Sequence, residues 1–223
     1  MTGSRTKAPT YADGARAIAP IALASAAFGA TFGVLAQKAG MQALAALTMS
    51  ATTFAGAAQF AAASVLGAGG GVAAAVASAA LLNARYAPIS ISVAPAFVGG
   101  PVRRLVESQL IVDESWAISR GRDGRFDRRM LVGAGLVLYG GWVGGTAVGA
   151  FGGEALGDPE GLGLDAAFPA LFLALLVPQV RSRRALAAAL AGGGIALALM
   201  PVAPAGVPIV AATAACALGW RRP

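Results

Sequence analysis

A long run without charged residues decides the class of this protein. Residues 39–84 read AGMQALAALTMSATTFAGAAQFAAASVLGAGGGVAAAVASAALLNA and contain no Asp, Glu, Lys or Arg. A helix on the surface of a water-soluble protein carries charged residues along its outward face, and this run offers none. Because a helix needs about 20 mostly apolar residues to cross a bilayer, the run predicts helices that lie in a membrane.

The rest of the chain repeats this pattern. Charges are also absent from 17–37, 86–102, 130–153, 166–180 and 185–220, and only 12% of all residues are charged, against about 25% in ordinary soluble domains. We therefore predict an all-α polytopic membrane helical bundle with about six or seven transmembrane segments. The expected crossings are Ala17–Gln37, Met41–Leu66, Val72–Val98, Met130–Gly152, Ala166–Val180, Ala185–Met200 and Ala205–Trp220.

The distribution of arginine indicates an orientation, because loops rich in Lys and Arg usually stay in the cytoplasm. The tail 1–16, the segment 99–129, the short loop 181–184 and the C-terminal 221–222 all have this character. We expect a cytoplasmic N-terminal tail (1–16) and a single transmembrane domain (17–220) that includes the cytoplasmic segment 99–129. The loop Gly153–Asp165 carries only acidic charges and is expected outside.

This orientation restricts the number of times that residues 72–98 can cross the membrane. If the first two helices both cross, the chain is back in the cytoplasm near 67–71, so 72–98 must cross an even number of times. Its middle reads NARYAP (83–88), and Pro88 disfavours helix at the preceding residue. We predict at least one broken helix near residues 83–88, with half-helices at about 72–82 and 89–98. The alternative is one kinked crossing and an external N-terminus.

Four motifs give the chain a family resemblance. They are FGATFG (28–33), TFAGAAQF (53–60), LNARY (82–86) and DESWA (113–117), and in order and spacing they resemble the AzlC family from about residue 15 to 200. The resemblance implies the large subunit of a two-component exporter of branched-chain and related amino acids in the bacterial inner membrane. It also implies a small AzlD-type hydrophobic membrane subunit as partner, and a membrane gradient in place of ATP as the energy source. Tyr86 departs from the family pattern, which often has His after the Arg.

Arg85 is the first candidate for a functional residue, since it is the only charged residue between Lys38 and Arg103. A deep charge is costly in a bilayer and usually marks a substrate or ion pathway, and the arginine fork suits the carboxylate of an amino acid substrate. The remaining substrate-binding candidates lie in the same motifs: Gln59, Asn83 and Tyr86. Two alternatives stay open: Arg85 could extend to the membrane surface, and the amides could serve helix packing.

Two adjacent acids, Asp113 and Glu114, are candidates for gating or coupling. One of them would accept a proton at the inner mouth or pair with Arg103 or Arg104. The alternative is a solvated surface with ordinary ion pairs of little energetic value.

The glycines predict helix packing, because small residues at intervals of four let two helix backbones approach closely. The expected packing residues are Gly29, Gly33, Gly141, Gly145 and Gly149. Without His and without acids in the apolar stretches, the chain offers no metal site or membrane enzyme, and we expect no cofactor. It also carries no nucleic-acid-binding motif. The predicted function is therefore a secondary transporter, and the alternative is a non-transporting membrane scaffold or regulatory subunit.

Overall fold

The computed structural model describes residues 8–121, 124–153, 180–203 and 207–219, together with Leu173, Leu176 and Val177. Within these ranges the fold is all-α, and the one pairing of extended backbone is an isolated bridge between Arg120 and Phe126. The helices are α1 (Tyr11–Lys38), α2 (Ala43–Thr53), α3 (Gly56–Gly67), α4 (Val72–Asn83), α5 (Tyr86–Val93), α6 (Pro101–Ser108), α7 (Asp113–Ser119), α8 (Arg128–Gly152), α9 (Arg183–Leu199), α10 (Val207–Ala212) and α11 (Cys216–Gly219), with 3-10 turns at Ala94–Ala96 and Thr213–Ala215.

Two single helices, α1 and α8, are long and apolar enough to cross a membrane, and the α4–α5 pair passes the same test as a span bent by 41°. The described residues thus contain two or three spans of this kind, fewer than the six or seven expected for the whole chain. One reason is that the expected crossing Met41–Leu66 is divided into α2 and α3. The expected crossing Ala166–Val180 and the loop Gly153–Asp165 fall almost entirely outside the described residues.

The starts of α1 and α8 are set by side-chain caps. The Asp13 amide donates to the Thr10 hydroxyl, and the Asp13 carboxylate accepts from the Thr10 amide in return, so α1 begins before the expected Ala17. The Asp127 carboxylate accepts from the Met130 amide at the start of α8. These caps satisfy backbone donors that a helix leaves free in its first turn.

The predicted glycine faces form the contact between α1 and α8. A Cβ on Gly141 would lie 3.0 Å from the Ala22 carbonyl oxygen, and a Cβ on Gly145 or Gly149 would lie still closer to the backbone of α1. Gly29 and Gly33 approach the backbone of α8 in the same way. The sequence numbers of the contacting residues increase together along both helices, from Ala22 with Gly141 to Ala30 with Gly149. The two helices therefore run parallel.

Parallel packing defines the two ends of the bundle. Tyr11 and Arg128 lie together at the near end, where the Arg128 guanidinium donates to the Tyr11 hydroxyl over 2.8 Å. At the far end, the Gln37 side chain donates to the Ala150 carbonyl. The chain therefore returns from the far end to the near end between α1 and α8, so these two helices begin at the same end of the bundle.

Helices α2 and α3 form a hairpin that enters from the far end and returns to it. Along α2 the chain approaches the middle of α8, where the Ser50 hydroxyl lies 2.8 Å from the Thr146 hydroxyl. Phe54 then takes a left-handed conformation with a φ of 41° and reverses the chain. Along α3 the chain leads back until Gly67 lies beside Ala39. We call α2–α3 the re-entrant hairpin and Phe54–Gly56 its tip.

The bent pair α4–α5 makes the return crossing. It starts at the far end, where Ala75 packs against Val65 of α3, and finishes at the near end, where Val93 packs with Leu131 of α8. The predicted break near 83–88 is present, with half-helices at Val72–Asn83 and Tyr86–Val93. We expected residues 72–98 to cross an even number of times, and this was wrong. Met41–Leu66 turns back to the far end, so 72–98 crosses once, as one kinked span.

Candidate functional site

A cavity of about 140 Å³ lies midway between the two ends of the bundle. Leu138 and Trp142 of α8 form part of its wall, which is about 15–21 Å along the helix axis from Arg128. The cavity is smaller than the ~300–1,000 Å³ of sites that hold drug-sized ligands, so its size suits a small metabolite. Its lining is Ile21, Ala24, Ser25, Phe28, Phe54, Gly56, Ala57, Arg85, Tyr86, Val112, Asp113, Glu114, Leu138 and Trp142.

The main charged group of the cavity is an ion pair between Arg85 and Asp113. The Arg85 Nη2 atom lies 2.9 Å from Asp113 Oδ2, and both side chains keep about a third of their surface open (35% and 37%). The guanidinium also lies over the Tyr86 ring, 5.2 Å from its centroid. We expected that one of the two acids could pair with Arg103 or Arg104, but Asp113 pairs with Arg85, and Arg103 pairs with Glu107.

Arg85 keeps donors that the described chain does not use. Its Nε atom is buried and has no hydrogen-bond acceptor among the described residues, and the Asp113 contact is recorded through Nη2. A guanidinium has five N–H donors in a planar fork. The pair therefore leaves N–H groups of Arg85 that could donate to a second carboxylate.

Glu114 contributes a second acid to the same cavity. Glu114 is exposed, but nearby protein atoms partly remove the hydration of its carboxyl and raise its pKa, with a further increase from the negative charge of Asp113. Arg85 acts in the opposite direction. No ion pair of Glu114 occurs in the part of the chain that the structure describes.

Two of the predicted substrate-binding residues lie away from the cavity lining. Gln59 is fully buried behind the tip, and both ends of its amide are used. Its Oε1 accepts from the Trp142 indole N–H over 3.0 Å and from the Ala55 amide over 3.2 Å, while its Nε2 donates to the Ser50 hydroxyl over 2.8 Å. Asn83 ends α4 next to the break, and the cavity lining does not include it.

Trp142 has a larger role than the sequence indicated. Its ring forms a wall of the cavity, and a Cβ on Gly56 would lie 2.8 Å from the indole. Its ring also packs edge-on against Phe60, with centroids 5.9 Å apart. The sequence signal was its position as the one aromatic residue between Gly141 and Gly145.

Side chains from two other elements cap the end of α2. The Tyr139 hydroxyl donates to the Ala51 carbonyl over 2.9 Å, and the Gln109 amide donates to the Thr52 carbonyl over 2.7 Å. These carbonyls belong to the last turn of the helix, which otherwise leaves its acceptors unpaired. Sequence reasoning missed both donors, because they lie far from α2 along the chain.

A second ionic cluster lies at the near end. Glu107 is 7% exposed, and its carboxylate accepts from Arg128 Nε over 2.6 Å and from Arg103 Nε over 2.8 Å. Hydrogen bonds from Arg128 and, more weakly, from Arg103 hold the pKa of Glu107 below its usual range. The cluster ties α6 to the first turn of α8.

The cavity combines a cation, two acids and an apolar wall. Such a set has the chemistry to bind a small zwitterion: an arginine fork can hold a carboxylate, an acid can hold an ammonium, and an aromatic and aliphatic wall can hold an apolar side chain. Within the described residues, no three His, Cys, Asp or Glu side chains come together as metal ligands.

Comparisons with known proteins agree with this architecture. The chain matches the family model described as "AzlC protein" over residues 20–156, a range that includes the re-entrant hairpin, the bent pair and the ion pair. It is similar to an uncharacterized membrane protein of Archaeoglobus fulgidus, with 32% identity in an alignment of 212 residues that covers 90% of each chain. No solved structure matches the chain. The family match and this full-length relative together show that the chain is a membrane protein of the AzlC family.

Proposed function

We propose that this protein is a secondary transporter that exports branched-chain and related amino acids across the inner membrane. The observation that carries the proposal is the Arg85–Asp113 pair in a cavity midway along α1 and α8. A deep charge is expensive in a membrane protein and usually marks a pathway. A scaffold would gain nothing from this arrangement.

The substrate is held by the charged groups at one side of the cavity and by apolar groups at the other. Its carboxylate takes the unused donors of Arg85, and its ammonium lies beside Asp113 and Glu114. Phe28, Leu138 and Trp142 receive the side chain. An aliphatic amino acid satisfies all three parts of the site, whereas a charged side chain would face the apolar wall without a partner.

Broken helices at the cavity provide a means of movement. The hairpin tip and the break between α4 and α5 both reach the cavity, through Gly56 and Arg85 respectively. Discontinuous helices near the middle of the membrane form the substrate sites of many secondary transporters. The gradient of an ion, in place of ATP, would then drive the change between inward-open and outward-open forms.

We further propose that a small hydrophobic membrane subunit of the AzlD type works with this chain. Helix α9 has no buried residue within the described structure, and its exposed apolar side chains include Leu186, Leu190 and Leu197. A second membrane subunit could cover this face. Co-purification of the small subunit in mild detergent supports the proposal, and full export by the chain alone in proteoliposomes contradicts an obligatory partner.

The test is export of labelled leucine or valine from loaded cells that express both subunits. We expect Arg85→Gln to abolish detectable export, because a lost charge-assisted hydrogen bond of about 1.5–3 kcal/mol weakens binding by about 10- to 150-fold. Arg85→Lys keeps the charge but loses the fork, so it should be impaired. Arg104→Gln, at an exposed arginine outside the cavity, is the matched control and should export normally.

The same assay decides between the transporter and the scaffold. A branched amine without a carboxylate should be a poor substrate for the wild-type protein and for Arg85→Gln alike. If Arg85→Gln is inserted in the membrane and exports at the wild-type rate, the carboxylate site is wrong. If the two wild-type subunits together export no amino acid, a non-transporting scaffold explains the protein better.

A further inference from the structure

The indole ring of Trp142 is held in one orientation at the cavity wall. Its N–H donates to Gln59 Oε1 over 3.0 Å. Its ring stacks on Phe32, with centroids 6.3 Å apart, and Phe60 packs edge-on against it at 5.9 Å. None of these three partners lines the cavity, so they support the ring from the side away from it. Because a buried polar group loses its hydrogen bond only at a cost, the ring forms a fixed wall.

Gly56 of the hairpin tip contacts the six-membered ring of the same indole. A Cβ on Gly56 would lie 2.8 Å from Cη2 and 3.1 Å from Cζ3 of Trp142, closer than the ~3.5–4.0 Å of a relaxed contact between carbon atoms. Both residues line the cavity. A larger residue at position 56 would therefore displace the ring or the tip and take space from the cavity.

The apolar part of the cavity limits the size of a bound side chain. Arg85 and Asp113 keep about a third of their side-chain surface open (35% and 37%), so the main chain of an amino acid can lie beside them in contact with water. An apolar cavity of about 150 Å³ holds one benzene molecule, which corresponds to the ring of phenylalanine alone. The whole cavity measures about 140 Å³, so the smaller side chains of valine and leucine fit and a phenyl ring does not.

We propose that Trp142 sets the upper limit on the size of the substrate side chain, and that the missing side chain of Gly56 leaves the room that leucine needs. This inference rests on the proposed function and defines its substrates by size. Aliphatic side chains up to that of leucine reach the indole ring, and aromatic side chains are excluded by it. The two residues therefore act on selectivity in opposite directions when they are changed.

The experiment measures selectivity in proteoliposomes that contain both subunits. Exchange of labelled for unlabelled amino acid is followed separately for alanine, valine, leucine and phenylalanine, at concentrations below half-saturation. The ratio of two such rates reports discrimination between two substrates and does not depend on the amount of active protein. The leucine-to-phenylalanine and leucine-to-alanine ratios are the two readouts.

Trp142→Phe should widen the cavity without breaking the support behind the ring. The smaller ring can still pack against Phe32 and Phe60, and Gln59 Oε1 still accepts from the Ala55 amide. A single methylene in an apolar pocket changes discrimination by about 10- to 200-fold. We therefore expect the leucine-to-phenylalanine ratio to fall by about tenfold or more.

Gly56→Ala should narrow the cavity, because its methyl group enters the space between the tip and the indole. We expect the leucine-to-alanine ratio to fall by about tenfold or more. The double variant Gly56→Ala/Trp142→Phe should return both ratios towards the wild-type values, because the methyl group occupies space that the smaller ring leaves. Such non-additivity is typical of residues in direct contact.

Trp116→Phe and Gly140→Ala are the matched controls. Trp116 lies outside the cavity lining, and its indole donates to the Ser92 hydroxyl over 2.9 Å. A Cβ on Gly140 would meet nothing within 4 Å. Both controls should keep the wild-type ratios.

Three results would overturn the inference. They are wild-type exchange of phenylalanine as fast as that of leucine, a wild-type leucine-to-phenylalanine ratio in Trp142→Phe, and an equal loss of all four substrates in either single variant. The third would make the residue structural and not a determinant of selectivity. Absence of exchange of all four amino acids by the wild-type complex would instead contradict the proposed transport function itself, so the two failures are distinguishable.

Discussion

Gly67, the last residue of α3, lies against Ala39, the residue that follows α1: a Cβ on Gly67 would be 3.5 Å from the Ala39 Cβ. This single contact brings both ends of the α2–α3 hairpin to the far end of the bundle. The chain between α1 and α8 therefore crosses once, through α4–α5. This route accounts for the parallel packing of α1 and α8.

The first prediction concerns the side on which residue 68 lies. In a Cys216→Ser background, a cysteine introduced as Ala68→Cys should react with an impermeant thiol reagent from outside, whereas Arg104→Cys should react only after the membrane is opened. Both positions are exposed, so access depends on sidedness alone. Labelling of both positions from the same side would contradict the re-entrant hairpin.

The second prediction concerns the α1–α8 contact. Gly145→Ala and Gly149→Ala force a methyl group into the backbone of α1, and overpacking of this kind costs about 1–3 kcal/mol. Gly144→Ala is the matched control, because its added methyl meets nothing within 4 Å and alanine favours helix over glycine by up to ~1 kcal/mol. Thermal denaturation in detergent should show lower midpoints for the first two variants and an unchanged or higher midpoint for the control.

The third prediction concerns the hydrogen bonds that hold the tip. Gln59→Leu removes an acceptor from the Trp142 N–H and the Ala55 amide, and a donor to Ser50. An unsatisfied buried polar group costs about 1–3 kcal/mol, so the variant should be destabilised and should lose transport through a misplaced tip. Gln42→Leu, at an exposed glutamine without a side-chain cap bond, should leave stability and transport unchanged. Equal stability of the two variants in denaturation would refute the role of Gln59.

The fourth prediction concerns the near-end cluster. Arg128 is 14% exposed and Arg103 is 51% exposed in their side chains. Removal of one partner of a buried pair costs about 3–5 kcal/mol, while an exposed pair is worth ~0–1 kcal/mol. Arg128→Gln should therefore lower the denaturation midpoint far more than Arg103→Gln does.

The pH dependence of the cluster has a definite sign. Because the pKa of Glu107 is lowered in the folded protein, its stabilisation is complete above about pH 4.3, the value for a free glutamate. It is lost as the pH falls through the lower folded value. Denaturation midpoints of Glu107→Gln should lack this acid-side decrease, and an identical decrease in variant and wild type would assign it to other carboxyls.

The local pattern of residues predicted much of the fold and part of the site. Uncharged runs predicted membrane helices, because a bilayer cannot hydrate charges. Pro88 and the polar residues around Arg85 predicted a break in the span 72–98. Glycines at intervals of four predicted close helix packing, although not that α1 and α8 are the two helices in contact. Arg85 was singled out because it is the only charge in a long apolar stretch.

Only the tertiary structure decided which broken element crosses and which acid faces Arg85. Hydropathy is the same for a helix that crosses and for a hairpin that turns back, so the sequence did not distinguish Met41–Leu66 from Val72–Val98. The reversal depends on the left-handed Phe54 and on the buried bonds between Gln59 and Trp142. The ion pair joins Arg85 to Asp113, 28 positions along the chain, and such a contact is set by helix packing and not by any local pattern.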